Sequence, residues 1–138
     1  MKMEELTLTQ DWDKTFPKSD KVDHCKVTFV NRYGITLAAD MYSPKDAEGK
    51  LQQTKLAAIA VCGPFGAVKE QCSGLYAQTM AERGFLTVAF DPSFTGESGG
   101  NVRYMASPDI NTEDFMAAID FLSLCDKVDP ERIGIIGI

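Results

Sequence analysis

Three short, mostly apolar runs constrain this chain more than anything else in it: Leu56–Val61 (LAAIAV), Phe85–Phe90 (FLTVAF) and Ile133–Ile136 (IGII). A strand that is apolar on both faces must be covered on both, as in a mostly parallel sheet flanked by helices. Two segments of helical spacing lie between the runs. Val68, Leu75, Ala77, Met80 and Ala81 predict a helix over 68–83, with Gly84 after Arg83 suited to its C-terminus. Asn111 or Thr112 is placed to cap a second helix, with Glu113 and Asp114 against the dipole and Phe115, Ala118, Ile119 and Leu122 as its buried stripe. Alternating strands and helices imply right-handed crossovers.

Ahead of this core, Cys25–Val30 alternates sides and is rich in β-branched residues, Asn31–Gly34 supplies a turn, and Ile35–Tyr42 reads as the antiparallel partner. Ser43-Pro44 is expected to stop that strand, and Lys45–Thr54 to form a polar loop. Val128–Arg132 is expected to be a turn. Residues 1–24 read as a polar extension, with Trp12 and Phe16 as anchors onto a neighbouring surface. The remainder, 25–138, reads as part of one α/β domain whose last strand has no helix after it. Such a sheet leaves an edge and apolar surface open, to be completed by a continuing polypeptide or by a partner chain.

Length and composition exclude several function classes. The 138 residues are about one domain. Their formal charge of −6, without clusters of basic residues, argues against nucleic acid or an anionic membrane as partner. No stretch approaches the roughly 20 apolar residues of a membrane span, and the polar N-terminus does not resemble a secretory signal. A cytoplasmic location is expected. Cys25, Cys62, Cys72 and Cys125 include no C-x-x-C pair, so the expectation is reduced, mostly buried thiols. His24, the sole histidine, is expected at the surface ahead of the first strand, and neither a zinc site nor a catalytic base is read from it. No metal or cofactor is implied.

Three features could carry chemistry. The loop Cys62–Gln71 (CGPFGAVKEQ) joins a buried strand to a helix. It reads as a phosphate loop, as an oxyanion hole, or as a tight turn alone. The Walker spacing is absent, because Gly63, Gly66 and Lys69 are followed by no Ser or Thr. As an oxyanion hole its better donor is the Phe65 N–H, with Gly66 second, since Pro64 has none. Gly96-Glu97-Ser98-Gly99-Gly100 matches G-x-S-x-G literally. It lacks the strand before and the helix after that a nucleophile elbow requires, so Ser98 reads as part of a glycine-rich loop. The run Asp129–Ile138 (DPERIGIIGI) has the form of a strand approaching an elbow, with Gly137 as its first glycine and Ile138 next.

Together these segments resemble the α/β-hydrolase superfamily, in its dienelactone-hydrolase-like and acyl-peptidase-like branch. The hairpin VTFVNRYGITLAADMYSP resembles that branch's opening strands, with their G-x-x-L-x-A-x-x-Y-x-P pattern. GPFGAVKEQ is similar to its oxyanion loop, with Gly63 where histidine is common. AERGFLTVAFD and DPSFTGESGG resemble the next strand and its glycine-rich loop, with Ser93 and Thr95 departing from the usual residues. DPERIGIIGI is similar to the approach to the elbow. The resemblance runs from about Cys25 to Ile138 and implies the N-terminal half of an α/β-hydrolase fold. The activity it implies is hydrolysis of an ester, lactone, thioester or amide in a small acyl substrate through a Ser or Cys acyl-enzyme. The nucleophile, acid and histidine would all lie beyond Ile138, in the C-terminal half or a complementing chain. The 138 residues alone are then expected to be inactive. The competing readings are a non-catalytic module that binds a small anion on the 62–71 loop, and an interaction protein that self-associates or is completed through its open sheet.

Overall fold

A computed structural model describes residues 4–45 and 55–138. Apart from Lys45, the expected 45–54 loop lies outside the described residues. Seven elements follow in the order β1 (Val22–Val30), β2 (Thr36–Pro44), β3 (Leu56–Cys62), α1 (Cys72–Glu82), β4 (Leu86–Phe90), α2 (Pro108–Ser123) and β5 (Val128–Gly137). They build one five-stranded sheet in the order β1-β2-β4-β3-β5. β1 and β4 flank β2 antiparallel, while β4, β3 and β5 run parallel. This is the hairpin leading into parallel strands that the apolar runs require.

Each helix covers one face. Against α2 pack Phe29, Leu37, Ala39, Leu86, Val88 and Phe90, joined by Ala118 and Leu122 of the helix. On the other face, Tyr42, Val61 and Ala89 meet Ala77 and Ala81 of α1 and Phe16 of the N-terminal segment. The α2 stripe is the expected one. That of α1 is so only in part: Ala77 and Ala81 are buried and Met80 packs beside them, but Leu75 is exposed, and the other buried positions are Ser73, Gly74 and Gln78. These small residues follow the same helical period, because Phe16 fills the space larger ones would need. A Cβ on Gly74 would lie 3.1 Å from the Phe16 ring and would collide with the Lys69 carbonyl.

Several boundaries differ from those expected. β1 begins at Val22 and β2 runs on through Pro44, because Val22 pairs with Pro44 and His24 with Tyr42. His24 is therefore not a surface residue ahead of the sheet. Its ring packs on Trp12 and Tyr42, and its Nε2 lies 2.7 Å from Asp40 Oδ1. α1 starts at Cys72 rather than at residue 68. α2 starts at Pro108, behind Ser107 at the N-cap, which moves Glu113 and Asp114 out of the first turn. Asp129–Arg132 bulges out of β5 between the Leu56–Val128 and Ala58–Ile133 pairs, where a turn was expected. Cys25 is exposed and the other three cysteines are partly buried, less enclosed than expected. At the outer edge of β5, Ile135 is 58% exposed. Among the described residues no helix is long and apolar enough to cross a membrane.

Candidate active site

β3, β4 and β5 are parallel, so their C-terminal ends emerge on the same side of the sheet, the position at which open α/β sheets bind ligands. A cavity of about 540 Å³ opens there. The loop after β3 contributes Gly63, Phe65, Gly66 and Val68, the loop after β4 contributes Thr95, Gly96, Arg103 and Tyr104, and the end of β5 contributes Gly137 and Ile138. The Ile138 N–H donates to the Cys62 carbonyl at 3.2 Å, tying the end of β5 to the start of the 63–71 loop. All four residues singled out in the sequence, Phe65, Gly66, Gly137 and Ile138, thus line one cavity.

The 63–71 loop folds over Pro64, whose carbonyl accepts the Ala67 N–H at 3.0 Å. Gly66 has φ +82, a conformation a side chain would strain. Among the described residues, none accepts the N–H of Phe65 or Gly66. The Phe65 ring is 85% exposed at the cavity mouth. Burial pushes the Cys62 thiol up to about 12, with Asp91 adding to the shift, so it stays protonated at neutral pH.

The opposite wall is a tightly bonded loop. Ser98 Oγ donates to the Asp91 carbonyl at 2.7 Å and accepts the Ala38 N–H at 2.9 Å. The hydroxyl is buried and committed to backbone, as its sequence context predicted for a non-nucleophile. Arg103 grips the loop through Nη1 to the Ser98 carbonyl and Nη2 to the Gly96 carbonyl, both at 2.6 Å. A Cβ on Gly96 would collide with the Asp91 carboxylate. The loop is moored to α2 by Asp114, which accepts from the Ser93 N–H and hydroxyl and from Asn31 Nδ2. Burial pushes the Asp114 carboxyl above its ordinary range, although those three donors pull it down. The grip leaves Tyr104, 87% exposed and at φ +62, at the cavity mouth.

Behind the cavity runs a ladder of charges. Lys69 Nζ, fully buried, contacts Asp91 Oδ2 at 2.8 Å, Glu70 Oε1 at 2.6 Å and Glu97 Oε1 at 2.8 Å. Glu97 also accepts from Lys26 Nζ at 2.7 Å, and Lys26 reaches Asp13 at 3.0 Å. Lys14 bridges Asp13 and the buried Asp40, which in turn faces His24. Burial would lower the Lys69 pKa, but Asp91, Glu70 and Glu97 raise it. Burial likewise pushes Glu97 upward, yet Lys26, Lys69 and the Thr9 N–H hold it down at about 2. Asp13, Glu70 and Glu97 lie close enough to share a cation. Their oxygens already face Lys14, Lys26 and Lys69. The Lys69 ammonium, buried among three carboxylates, is not available to a phosphate on the 62–71 loop.

Sequence reasoning missed this ladder. One signal was available: in a hairpin turning at Asn31–Gly34, Lys26 falls opposite Asp40, on a face that alternation makes inward.

No protein-family model matches the chain. It is 70% identical over 134 residues to an uncharacterized Pseudomonas aeruginosa protein, PA2218, covering 97% of this chain and 35% of that protein. It is 45% identical over 116 residues to YcjY of Escherichia coli K12, covering 82% and 37%. It is 28% identical over 120 residues to the thiohydrolase aneE of Aspergillus aculeatus, covering 87% and 35%. The chain thus spans little more than a third of the length of these three relatives. The crystal structure of PA2218 superposes with a TM-score of 0.91 at 69% identity, over 97% of this chain and 40% of that one. The α/β hydrolase GrgF of Penicillium sp. sh18 superposes at 0.74 and 20% identity, over 84% and 37%. The fold is that of the α/β hydrolases.

Proposed function

We propose that this chain builds the oxyanion side and the acyl pocket of a hydrolase that cleaves an ester, lactone, thioester or amide through a Ser or Cys acyl-enzyme. The observation that carries the reading is the convergence of Phe65, Gly66, Gly137 and Ile138 on one cavity at the ends of three parallel strands. The nucleophile follows Ile138, and it, the acid and the histidine come from a continuing polypeptide or a complementing chain. The exposed outer edge of β5 offers the place where the sheet is completed. The nucleophile gives its proton to the histidine and bonds to the substrate carbonyl carbon. The oxyanion then accepts from the Phe65 N–H and from the residue after the nucleophile. Collapse expels the alcohol, thiol or amine with that proton, and water releases the acid. The dienelactone-hydrolase-like branch remains our assignment of lineage, and the likeness to a thiohydrolase favours thioesters among the candidate bonds.

The cavity also limits the acyl group. Its lining is mainly apolar: Phe65, Val68, Phe90, Met105 and Phe115. The one cation among its lining residues, Arg103, has both terminal nitrogens on backbone carbonyls. An uncharged, apolar or aromatic acyl group fits this lining.

The test is to express these 138 residues joined to the coding sequence that follows, beside the 138 residues alone. Each is treated with a fluorophosphonate and with iodoacetamide and assayed on p-nitrophenyl esters and acyl thioesters. The longer protein should give one covalent adduct beyond any that the 138 residues alone, with their exposed Cys25, give by intact mass, and saturable hydrolysis, with butyryl preferred over succinyl esters. A folded longer protein with neither adduct nor hydrolysis would sink the reading.

A further inference from the structure

The two loops that wall the cavity, 63–71 and 91–107, are joined by polar bonds at one residue. Among the described residues these bonds are Lys69 N–H to Asp91 Oδ1 at 2.8 Å, Lys69 Nζ to Asp91 Oδ2 at 2.8 Å, and Lys69 Nζ to Glu97 Oε1 at 2.8 Å. Asp91 Oδ2 also accepts the Glu97 N–H at 2.9 Å, so one buried carboxylate fixes the backbone of both loops. The fixed points lie close to the cavity: Lys69 follows its lining residue Val68, and Glu97 follows Gly96. A buried carboxylate holds such a geometry only while its countercharge is present, and here that charge is Lys69.

The N-terminal segment closes the device from behind. The Thr9 N–H donates to Glu97 Oε2 at 2.7 Å, and the Gly100 N–H to Glu4 Oε2 at 3.2 Å. The Thr15 N–H donates to the Glu70 carbonyl at 2.9 Å. Asp13 anchors Lys26, which shares Glu97 with Lys69. Residues 4–16 therefore bond to both walls of the cavity without lining it.

We infer that Lys69 is a positioning residue of the active site, and that residues 4–16 are a working part of that site because they hold Glu97 and Glu70 around it. The inference rests on the proposed hydrolase reading for its catalytic consequence but not for its structural one. Phe65 lies four residues before Lys69, and a loop freed at that point no longer fixes the oxyanion donor. A misplacement of about 1 Å costs on the order of a hundredfold in rate.

The experiment is amide hydrogen exchange by mass spectrometry on Lys69→Met, Lys69→Arg, Glu97→Gln and Thr9→Pro, paired with steady-state kinetics in the longer, active polypeptide. Thr9→Pro removes an exposed N–H donor at the cost of a fixed backbone angle there, and Glu97→Gln keeps the side-chain volume, so these two decide the matter if Lys69→Met does not fold. In Lys69→Met, exchange should accelerate about tenfold or more in peptides from 63–71 and 92–100, with α2 and β3 unchanged. Glu97→Gln and Thr9→Pro should show the same pattern at smaller size. On an ester substrate kcat should fall with KM nearly constant, and Lys69→Arg should recover part of it. Unchanged exchange in both loops of a folded variant, or acceleration spread evenly over all peptides, overturns the inference. If exchange localises as stated while the longer protein shows no hydrolysis, the hydrolase reading fails and the loop-coupling role stands.

Discussion

The two faces of the β1–β2 hairpin share one backbone and one register, yet they are held by different physics. Toward α2, Val27 lies opposite Ala39 and Phe29 opposite Leu37, and Phe29 stacks on Phe121 at 5.2 Å and meets Phe90 edge-on at 6.2 Å. Toward the N-terminal segment, Lys26 lies opposite Asp40 and His24 opposite Tyr42, with Asp13 and Lys14 laid across them. Burial of apolar area is not directional, so the first face accepts any residues of similar volume and shape. The second holds only while each charge keeps its particular partner. Through Lys69, Asp91 and Glu97 the site loops are moored to the directional face, with the Asp114 bonds to Ser93 and Asn31 a second polar mooring on α2, while the apolar face supplies the bulk of the core.

The sharpest way to break the comparison is to remove one member of each face. Lys69→Met leaves Asp91 buried without its cation and should cost about 3–5 kcal/mol in urea unfolding. Adding Asp91→Leu should recover part of that loss, because the stranded charge is then gone. On the apolar face, Leu37→Ala should cost about 3 kcal/mol with nothing to rescue it. Ser98→Ala deletes a hydroxyl bonded to the Asp91 carbonyl and the Ala38 N–H. It should cost about 1–3 kcal/mol and leave any acyl-enzyme chemistry of the longer protein in place.

Acid separates the two faces next. Asp13 and Glu97 are held at about 2, below their ordinary 3.8 and 4.5. The stability they contribute is fully present above pH 4.5 and is lost as pH falls toward 2. The cost of Glu97→Gln should therefore shrink across that window, measured by urea midpoints at several pH values, while that of Leu37→Ala stays level. The smallest effect belongs to the mouth of the cavity: Phe65→Ala, with the ring 85% exposed, should change stability by no more than about 0.5 kcal/mol. In the longer protein it should raise KM for aromatic acyl esters.

Legibility in the sequence followed the same division. Strands β3 and β4 and the stripe of α2 were readable because apolar periodicity is a local signal. Phe65, Gly66, Gly137 and Ile138 could be picked out because their loops sit where strands end. Lys69 was read as a loop charge, and Lys26 and His24 as polar residues of a half-buried strand and its approach. Apart from Glu70 beside Lys69, their partners lie 13 to 71 residues away in the chain, and no local pattern reports a pairing at such separation. α1 misled for a related reason: its buried face is small because Phe16, far away in sequence, fills the space.

The strand order carries a consequence for synthesis. β2 ends at Pro44, but its inner neighbour is β4, which begins at Leu86, and β3 lies between them in sequence and pairs with neither β1 nor β2. At roughly 5–20 residues per second on the ribosome, the hairpin waits several seconds with the inner edge of β2 unpaired. An open edge of that kind invites pairing with other nascent chains, and inward-pointing charges are a known deterrent. Lys26 and Asp40 lie on that hairpin throughout the wait. Charges that end as part of the buried network behind the cavity are, until then, solvated charges on an open hairpin.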